Sequence, residues 1–376
     1  MATTNNLSDG KRDLRLDLFR GLANWAIFLD HIPNNVVAWV TTKNYGFSDA
    51  ADFFVFVSGY TVAFVYGPRM IAGQFVPASV GILARAWQIY VAHILLFVIY
   101  VAAIGFVAQQ YNHAHLLDEF NIRRLIADPI EFLKHGLLLE FKPFNLDVLP
   151  LYIGLMAVFP VILWCLARQP KVTLLASFAL YFVARWQGLN LPAYPDGSWY
   201  FNPFAWQLLF VIGAWLAIGQ TDKLMTLAHS KGVIALAVLY LCFSLIFTLM
   251  VRFEMQPMLP SAVVEVFYPN DKTNLALSRI THLLALALIV SWLIPRSSPV
   301  LRWPALRPVL RCGQRSLEVF CFGIFLAFVA RLLIELVSTE LWFQIAVSMA
   351  GIGAMIGLAY FRTWSIGIQS NRGGAQ

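Results

Sequence analysis

The sequence predicts an all-α polytopic membrane protein, a bundle of about ten transmembrane helices. Three observations predict it. Of 376 residues, 59% are hydrophobic and 12% are charged, whereas an ordinary soluble domain carries about a quarter charged residues. Apolar runs of about twenty residues, the length that crosses a bilayer, recur along the whole chain. No polar linker separates them, so a length that would allow two domains reads as one bundle.

In chain order the predicted spans are 16–38, 48–67, 79–108, 145–167, 172–188, 203–220, 231–252, 274–294, 315–336 and 341–361. They leave a cytoplasmic N-terminal segment at 1–15, one integral-membrane domain at 16–362 and a cytoplasmic tail at 363–376. In the first span, Pro33 with Asn34 and Asn35 should end the helix, leaving "VVAWV" as a short continuation. The third span is long enough to tilt or to project beyond the bilayer. The basic N-terminus followed by an apolar run has the outline of a signal peptide. That run holds Arg20, Asn24, Asp30 and His31 and lacks a small-x-small cleavage site, so it is expected to be retained.

The net charge of +7 does not mark a nucleic-acid partner, because the basic residues alternate between connections. Lys11, Arg12, Arg15, Arg69, Arg168, Lys171, Lys223 and Lys231 fall on one side, with Arg296, Arg302, Arg307, Arg311, Arg315, Arg362 and Arg372. The positive-inside rule makes that side cytoplasmic, puts both termini there, and sends loops 109–144, 189–202 and 253–273 outside. Cys165, Cys242, Cys312 and Cys321 form neither a metal pattern nor a disulfide framework and read as buried spectators. "NHAH" at 112–115 has metal-capable spacing but no third ligand nearby, so no metal is expected.

Ionisable residues inside spans are costly and therefore mark candidate sites. Arg20 and His31 are eleven residues apart, which brings them within about 20° of one helical face with a rise of about 16 Å. With Arg20 at the cytoplasmic interface, His31 lies near mid-bilayer, with Asn24 and Ile27 between them. Asp30 points about 100° away and is poorly placed to orient the imidazole. In "DAADFFVFVSGYTVAF", Asp49, Asp52, Phe56 and Gly59 share a face. Asp52 is the carboxylate expected to orient His31 as a general base; the alternative is a buried Asp–His bridge that fastens two helices.

Gly59 allows close approach of a helix or a ligand. Arg85, near the inner end of the third span, either meets a polyanion from the cytosol or snorkels to the interface. His93, on the same span, reads as a hydrogen-bonded core histidine. Arg279 and His282 share a face in the eighth span, and Arg279 needs an anionic partner from the protein or from a ligand. Arg315 and Glu318, three residues apart, are expected to pair. Tyr194, Trp199, Tyr200 and Phe201 read either as an interfacial belt or as a sugar-stacking surface.

These segments together resemble the OpgC family, within a wider superfamily of membrane acyltransferases called acyltransferase family 3. Arg20 and His31 resemble the superfamily's Arg, ten residues, then His; "DAADFFVFVSGY" and "GQRSLEVFCFG" resemble two further segments of it. "LDLFRGLANWAIFLDH", "FNPFAWQLLFVIGAW" and "LSRITHLLALA" resemble OpgC specifically, and the resemblance runs over roughly residues 11–362. The chain departs from the superfamily's Arg-x-x-Arg pair at "RAWQ", where Gln88 follows Arg85.

The resemblance implies a bacterial inner-membrane enzyme that moves a succinyl group from cytoplasmic succinyl-CoA to glucose hydroxyls of periplasmic glucans. The implied partners are the acyl-CoA donor, the glucan acceptor and the lipid bilayer; a homodimer is compatible with the sequence. No tightly bound cofactor is expected, acyl-CoA being a co-substrate. On this view His31 and Asp52 are catalytic, and Arg20 and Arg85 hold the CoA phosphates. Asn24 or Ser58 supplies the oxyanion donor, and Asp30, Arg279 and His282 contact substrate. Arg279 either pairs the succinyl carboxylate or bridges to Asp30 or Asp49. An acyl-His intermediate stays open beside direct transfer.

Two alternatives remain at this level: an O-acyltransferase for another envelope polysaccharide, and a proton-coupled secondary transporter. A transporter favours inverted halves, and no internal symmetry of that kind is visible. Point contacts to phosphate contribute mostly uniform binding. Arg20→Ala and Arg85→Ala should therefore raise the KM for the acyl-CoA donor more than they lower kcat, as steady-state kinetics at saturating acceptor would show.

Overall fold

The computed structural model describes residues 13–110, 115–218 and 226–373. The chain is 79% helical, and among the described residues no strand forms. The main helices are α1 (Leu14–Asp30), α2 (Ala50–Ile71), α3 (Phe75–Gln110), α4 (Pro129–Leu137), α5 (Val148–Arg168) and α6 (Pro170–Gln187). They continue as α7 (Pro203–Ile218), α8 (Lys231–Arg252), α9 (Leu277–Leu293), α10 (Arg307–Gln314), α11 (Ser316–Leu336) and α12 (Leu341–Gly373).

Each predicted span overlaps a helix, the first only as far as Asp30, but not each helix has the length and apolarity to cross a bilayer. Among the described residues, six do: α2, α3, α5, α8, α11 and the Leu341–Ile368 stretch of α12. The apolar helices α7 and α9, with 16 and 17 residues, are shorter. The protein is thus a multi-pass membrane protein, and the figure of ten crossings exceeds what length and apolarity alone carry. The 36 residues of α3 make it about 54 Å long, well beyond a hydrocarbon core of about 30 Å. α12 runs on through positions expected as a tail.

The chain divides into two compact units, Met1–Asn44 with Leu286–Gln376, and Tyr45–Ala285. In the first, Asp13 caps α1. Its carboxylate accepts from the Arg15 backbone N–H at 3.1 Å and from Arg15 Nη2 at 2.8 Å, and pairs with Arg296 at 2.9 Å. α1 then packs backbone to backbone against α10. A Cβ on Gly313 would overlap the Asp17 carbonyl, and one on Gly21 would overlap the Val309 carbonyl. Further along, Phe28 seats its ring against Gly351 of α12, in a core with Leu29, Ile32, Val319, Ala327, Met355 and Ala359.

α1 stops at Asp30, and Pro33 and Asn34 turn the chain into a 3-10 helix at Val36–Val40, the expected short continuation. The turn is pinned by side chains. Asn35 Nδ2 donates to Ser348 Oγ at 3.1 Å, Val36 N–H to Gln344 Oε1 at 2.8 Å, and Thr41 Oγ1 to Asp30 Oδ1 at 2.7 Å.

In the second unit, α2 and α7 make a reciprocal contact: Gly59 lies against the Phe210 carbonyl and Gly213 against the Phe56 carbonyl. The close approach that Gly59 permits is therefore that of a helix. Outside these contacts, Glu318 pairs with Arg362 at 3.5 Å rather than with Arg315, which donates to Thr363 Oγ1 at 3.4 Å. Of the cysteines, Cys312 is buried and Cys242 is exposed; all four are free.

Gly313→Ala forces a Cβ into backbone that no side-chain rotation can relieve. It should destabilise the protein by about 1–3 kcal/mol, whereas Gly353→Ala, with nothing within 4 Å of its Cβ, should stay within about 0.5 kcal/mol. Thermal unfolding in detergent measures both.

Candidate functional site

Four of the predicted site residues lie on α1 or at its end. His31 is the C-cap of α1, half-buried, with φ −92° and ψ 0°. Its Nδ1 lies 2.6 Å from the Ile27 carbonyl oxygen, which also accepts the His31 backbone N–H at 3.1 Å. A carbonyl can only accept, so Nδ1 carries the proton and, in the neutral ring, Nε2 keeps the lone pair. The helix itself thus fixes the tautomer that a general base requires.

Asn24, seven residues earlier on the same stripe, is 1% exposed. Its Nδ2 donates to Ser316 O and Ser316 Oγ, each at 3.3 Å, while its Oδ1 is buried without a hydrogen-bond partner. Arg20 is half-buried a turn below Asn24. Asp30 accepts from Thr41 Oγ1 and so fastens the chain beyond the helix end.

The others lie in the second unit, where Asp52 and Arg279 join Asp49 and Lys272 in an ion cluster. Asp52 is fully buried. Its Oδ1 accepts from Arg279 Nε at 3.1 Å, and its Oδ2 accepts from Arg279 Nη2 and from the Asp49 backbone N–H, the latter at 2.8 Å. Arg279 Nη2 also donates to Asp49 Oδ2 at 2.9 Å, and Lys272 Nζ donates to the same oxygen at 2.7 Å. Two carboxylates therefore meet two cations, and the forked guanidinium spans both acids. Asp49 and Asp52 reciprocally cap α2, Asp49 Oδ1 accepting from Ala51 N–H at 2.9 Å.

The anionic partner that Arg279 needs comes from the protein. Asp52, expected beside His31, commits both oxygens to this cluster, and the acceptor at His31 Nδ1 is the Ile27 carbonyl.

His282, one turn beyond Arg279, receives the Ser48 N–H on Nδ1 at 3.3 Å and has Ser48 Oγ at 2.7 Å. Its ring lies against Gly46 and edge-on to Phe47. Ser58 is buried on α2 beside Gly59. Arg85 donates to Gln88 Oε1 at 3.1 Å, on the exposed face of α3.

The aromatic run near 194–201 is mostly consumed by its own packing. Trp199 and Phe201 are buried, Lys142 Nζ covers the Trp199 face at 3.6 Å, and Tyr194 stacks on His135 at 3.9 Å. Tyr200 alone of the four is exposed.

Sequence reasoning passed over Lys142 and Asp147, and it took His93 for a satisfied core group. Burial pulls the Lys142 ammonium down to about 8, although Asp147 and Glu140 nearby favour its charge. His93 is 0% exposed with neither ring nitrogen hydrogen-bonded. Among the described residues no cluster suited to a metal ion forms, and part of "NHAH" lies outside them.

A family model described as OpgC protein matches residues 12–366, nearly the whole chain. No curated protein and no solved structure matches.

Arg279→Gln would leave Asp49 and Asp52 facing each other in a buried site with only Lys272 between them. Removing one partner of such a pair costs about 3–5 kcal/mol. The variant should show a matching fall in thermal stability, partly recovered by adding Asp52→Asn.

Proposed function

The chain belongs to the OpgC family, and from that premise we propose that it is a transmembrane O-succinyltransferase. It takes a succinyl group from cytoplasmic succinyl-CoA and places it on glucose hydroxyls of periplasmic glucans. The family implies a transferase and suggests an acyltransferase that modifies glucans. The donor, the acyl chain and the base belong to this proposal, as do the inner-membrane location, the cytoplasmic termini and kinship with acyltransferase family 3.

The observation that carries the reading is the His31 imidazole. It is held at the C-terminal end of α1 with Nδ1 on a backbone carbonyl, which leaves the lone pair on Nε2 in the neutral ring. CoA cannot cross the bilayer and the glucan lies outside, so the reacting atoms must meet within the membrane. A base eleven residues along α1 from Arg20, about 16 Å of rise, suits that meeting.

In the proposed step, Nε2 takes the proton of a glucose hydroxyl as its oxygen attacks the thioester carbonyl carbon. The tetrahedral intermediate collapses with cleavage of the carbon–sulfur bond. The departing thiolate then receives the proton from His31, giving succinyl ester and free CoA. Arg20 and Arg85 neutralise CoA phosphates on the cytoplasmic side. Asp52, committed to Arg279, serves this reading by holding the second unit together, and orientation of His31 falls to the Ile27 carbonyl. Asn24 and Ser58 stay the oxyanion candidates, the amide donors of Asn24 being directed at Ser316.

Purified protein given succinyl-CoA and a glucan should release CoA and yield succinylated glucan, whereas a transporter would leave the thioester intact. His31→Ala should lower turnover by about 10²–10⁴ with unfolding temperature retained. Near-normal turnover in that folded variant would remove His31 from the mechanism.

A further inference from the structure

We infer that Lys142, Asp147 and His93 line a binding subsite for the hydroxyl groups of a neutral sugar, which makes it an acceptor subsite. The inference rests on the acyl-transfer reading above for the identity of the sugar as a glucan unit.

The three groups are unusual in what they leave unmade. Lys142 Nζ gives one hydrogen bond, to the Leu139 carbonyl at 3.1 Å, and lies on the Trp199 ring, so two of its three N–H donors have no hydrogen-bond acceptor. Asp147 stands immediately before α5 yet caps it with no side-chain hydrogen bond. Its carboxylate is served by its own backbone N–H and receives no side-chain donor among the described residues. Lys142 and Asp147 feel each other's charge, but no ion pair joins them. His93, on α3, lies within electrostatic reach of Lys142 with both ring nitrogens buried and unpartnered.

A buried polar group is almost always hydrogen-bonded, so His93 calls for a partner, and half-buried Lys142 and Asp147 near it hold hydrogen-bonding capacity that a shared ligand would take up. Its chemistry follows from the charges. Asp147 repels an anion and Lys142 repels a cation, which leaves a neutral ligand. An ammonium can only donate, a carboxylate can only accept, and a neutral imidazole does one of each. A partner that meets all three must donate and accept at neighbouring positions, as adjacent hydroxyls of a pyranose do. The location agrees: Lys142 and Asp147 flank the loop at the start of α5, Trp199 precedes α7, and positive-inside reasoning puts this end of both helices outside. That is the side on which a periplasmic glucan arrives.

The test uses the full-length protein in detergent, with glucose oligosaccharides of α and β linkage as separate acceptor series and succinyl-CoA as donor. Loss of a hydrogen bond to a charged group corresponds to about a 10–100-fold change. Asp147→Asn and Lys142→Met should each raise the acceptor KM, and the calorimetric Kd for the oligosaccharide, by about that factor. The donor KM should stay within about twofold, since neither group is placed on the CoA path. Unfolding temperatures of both variants are measured alongside.

A cluster that holds only structural water would give lowered unfolding temperatures with unchanged acceptor KM and Kd, and that result overturns the subsite. Wild-type protein inert towards every oligosaccharide would remove the acyl-transfer reading and the subsite with it. Wild-type activity with both variants unaffected would remove the subsite alone.

Discussion

In the unit spanning Tyr45–Ala285, the constraint on which much else depends is that Arg279 must find its counter-charge inside the protein. A guanidinium 5% exposed in an apolar helix has no water to hydrate it, so its energy is set by the acids that reach it. Asp52 and Asp49 reach it because they stand in the first turn and at the N-cap of α2, where Asp52 accepts the Asp49 backbone N–H and Asp49 accepts that of Ala51. The same two carboxylates thus start a helix and neutralise an arginine 227 and 230 residues away. Lys272 completes the balance from the loop before α9. Ser48, in the approach to α2, holds His282 one turn further along α9, so the two helices are joined by polar contacts at successive levels.

The unit that carries α1 is held together by different means. Its helix contacts are made of backbone against backbone, at Gly21 and Gly313, and of an aromatic ring on a glycine, at Phe28 and Gly351. In lipid no hydrophobic effect drives two apolar helices together, and close packing of small residues takes its place. α1 also carries Arg20, Asn24 and His31, and the close seat fixes the depth and rotation of that polar stripe. Asp13 and Arg296 fix its N-terminal end, while Asn35, Thr41 and Gln344 fix the chain beyond its C-terminal end.

How far the sequence revealed this differs from residue to residue. Helix positions were legible, because hydrophobic runs bounded by Pro, Gly and charge report directly on local structure. The Pro33–Asn34 break and the 3-10 continuation were legible for the same reason. Crossing number was not, because α7 and α9 fall just short of a full span and α1 and α6 are not among the helices long and apolar enough to cross. Arg279 announced its need for an acid, but which acid was a matter of tertiary geometry. Asp52 was equally plausible for His31, and only the fold shows it committed to the arginine. The Arg315–Glu318 expectation failed similarly: helical spacing allows a pair, yet Arg362 of a neighbouring helix reaches Glu318. Lys142 and Asp147 gave no signal and His93 was read as satisfied, since an unmade hydrogen bond has no counterpart in residue type or spacing.

The double use of the Ile27 carbonyl, which accepts both the backbone N–H and Nδ1 of His31, has a consequence for how this family can vary. The group that selects the imidazole tautomer belongs to the main chain, so position 27 is free to change among apolar residues without loss of that oxygen. Leucine, valine or methionine would offer the same acceptor. The instruction that sets the tautomer is therefore written in the helical path rather than in any one letter, and it holds for as long as α1 ends where it does.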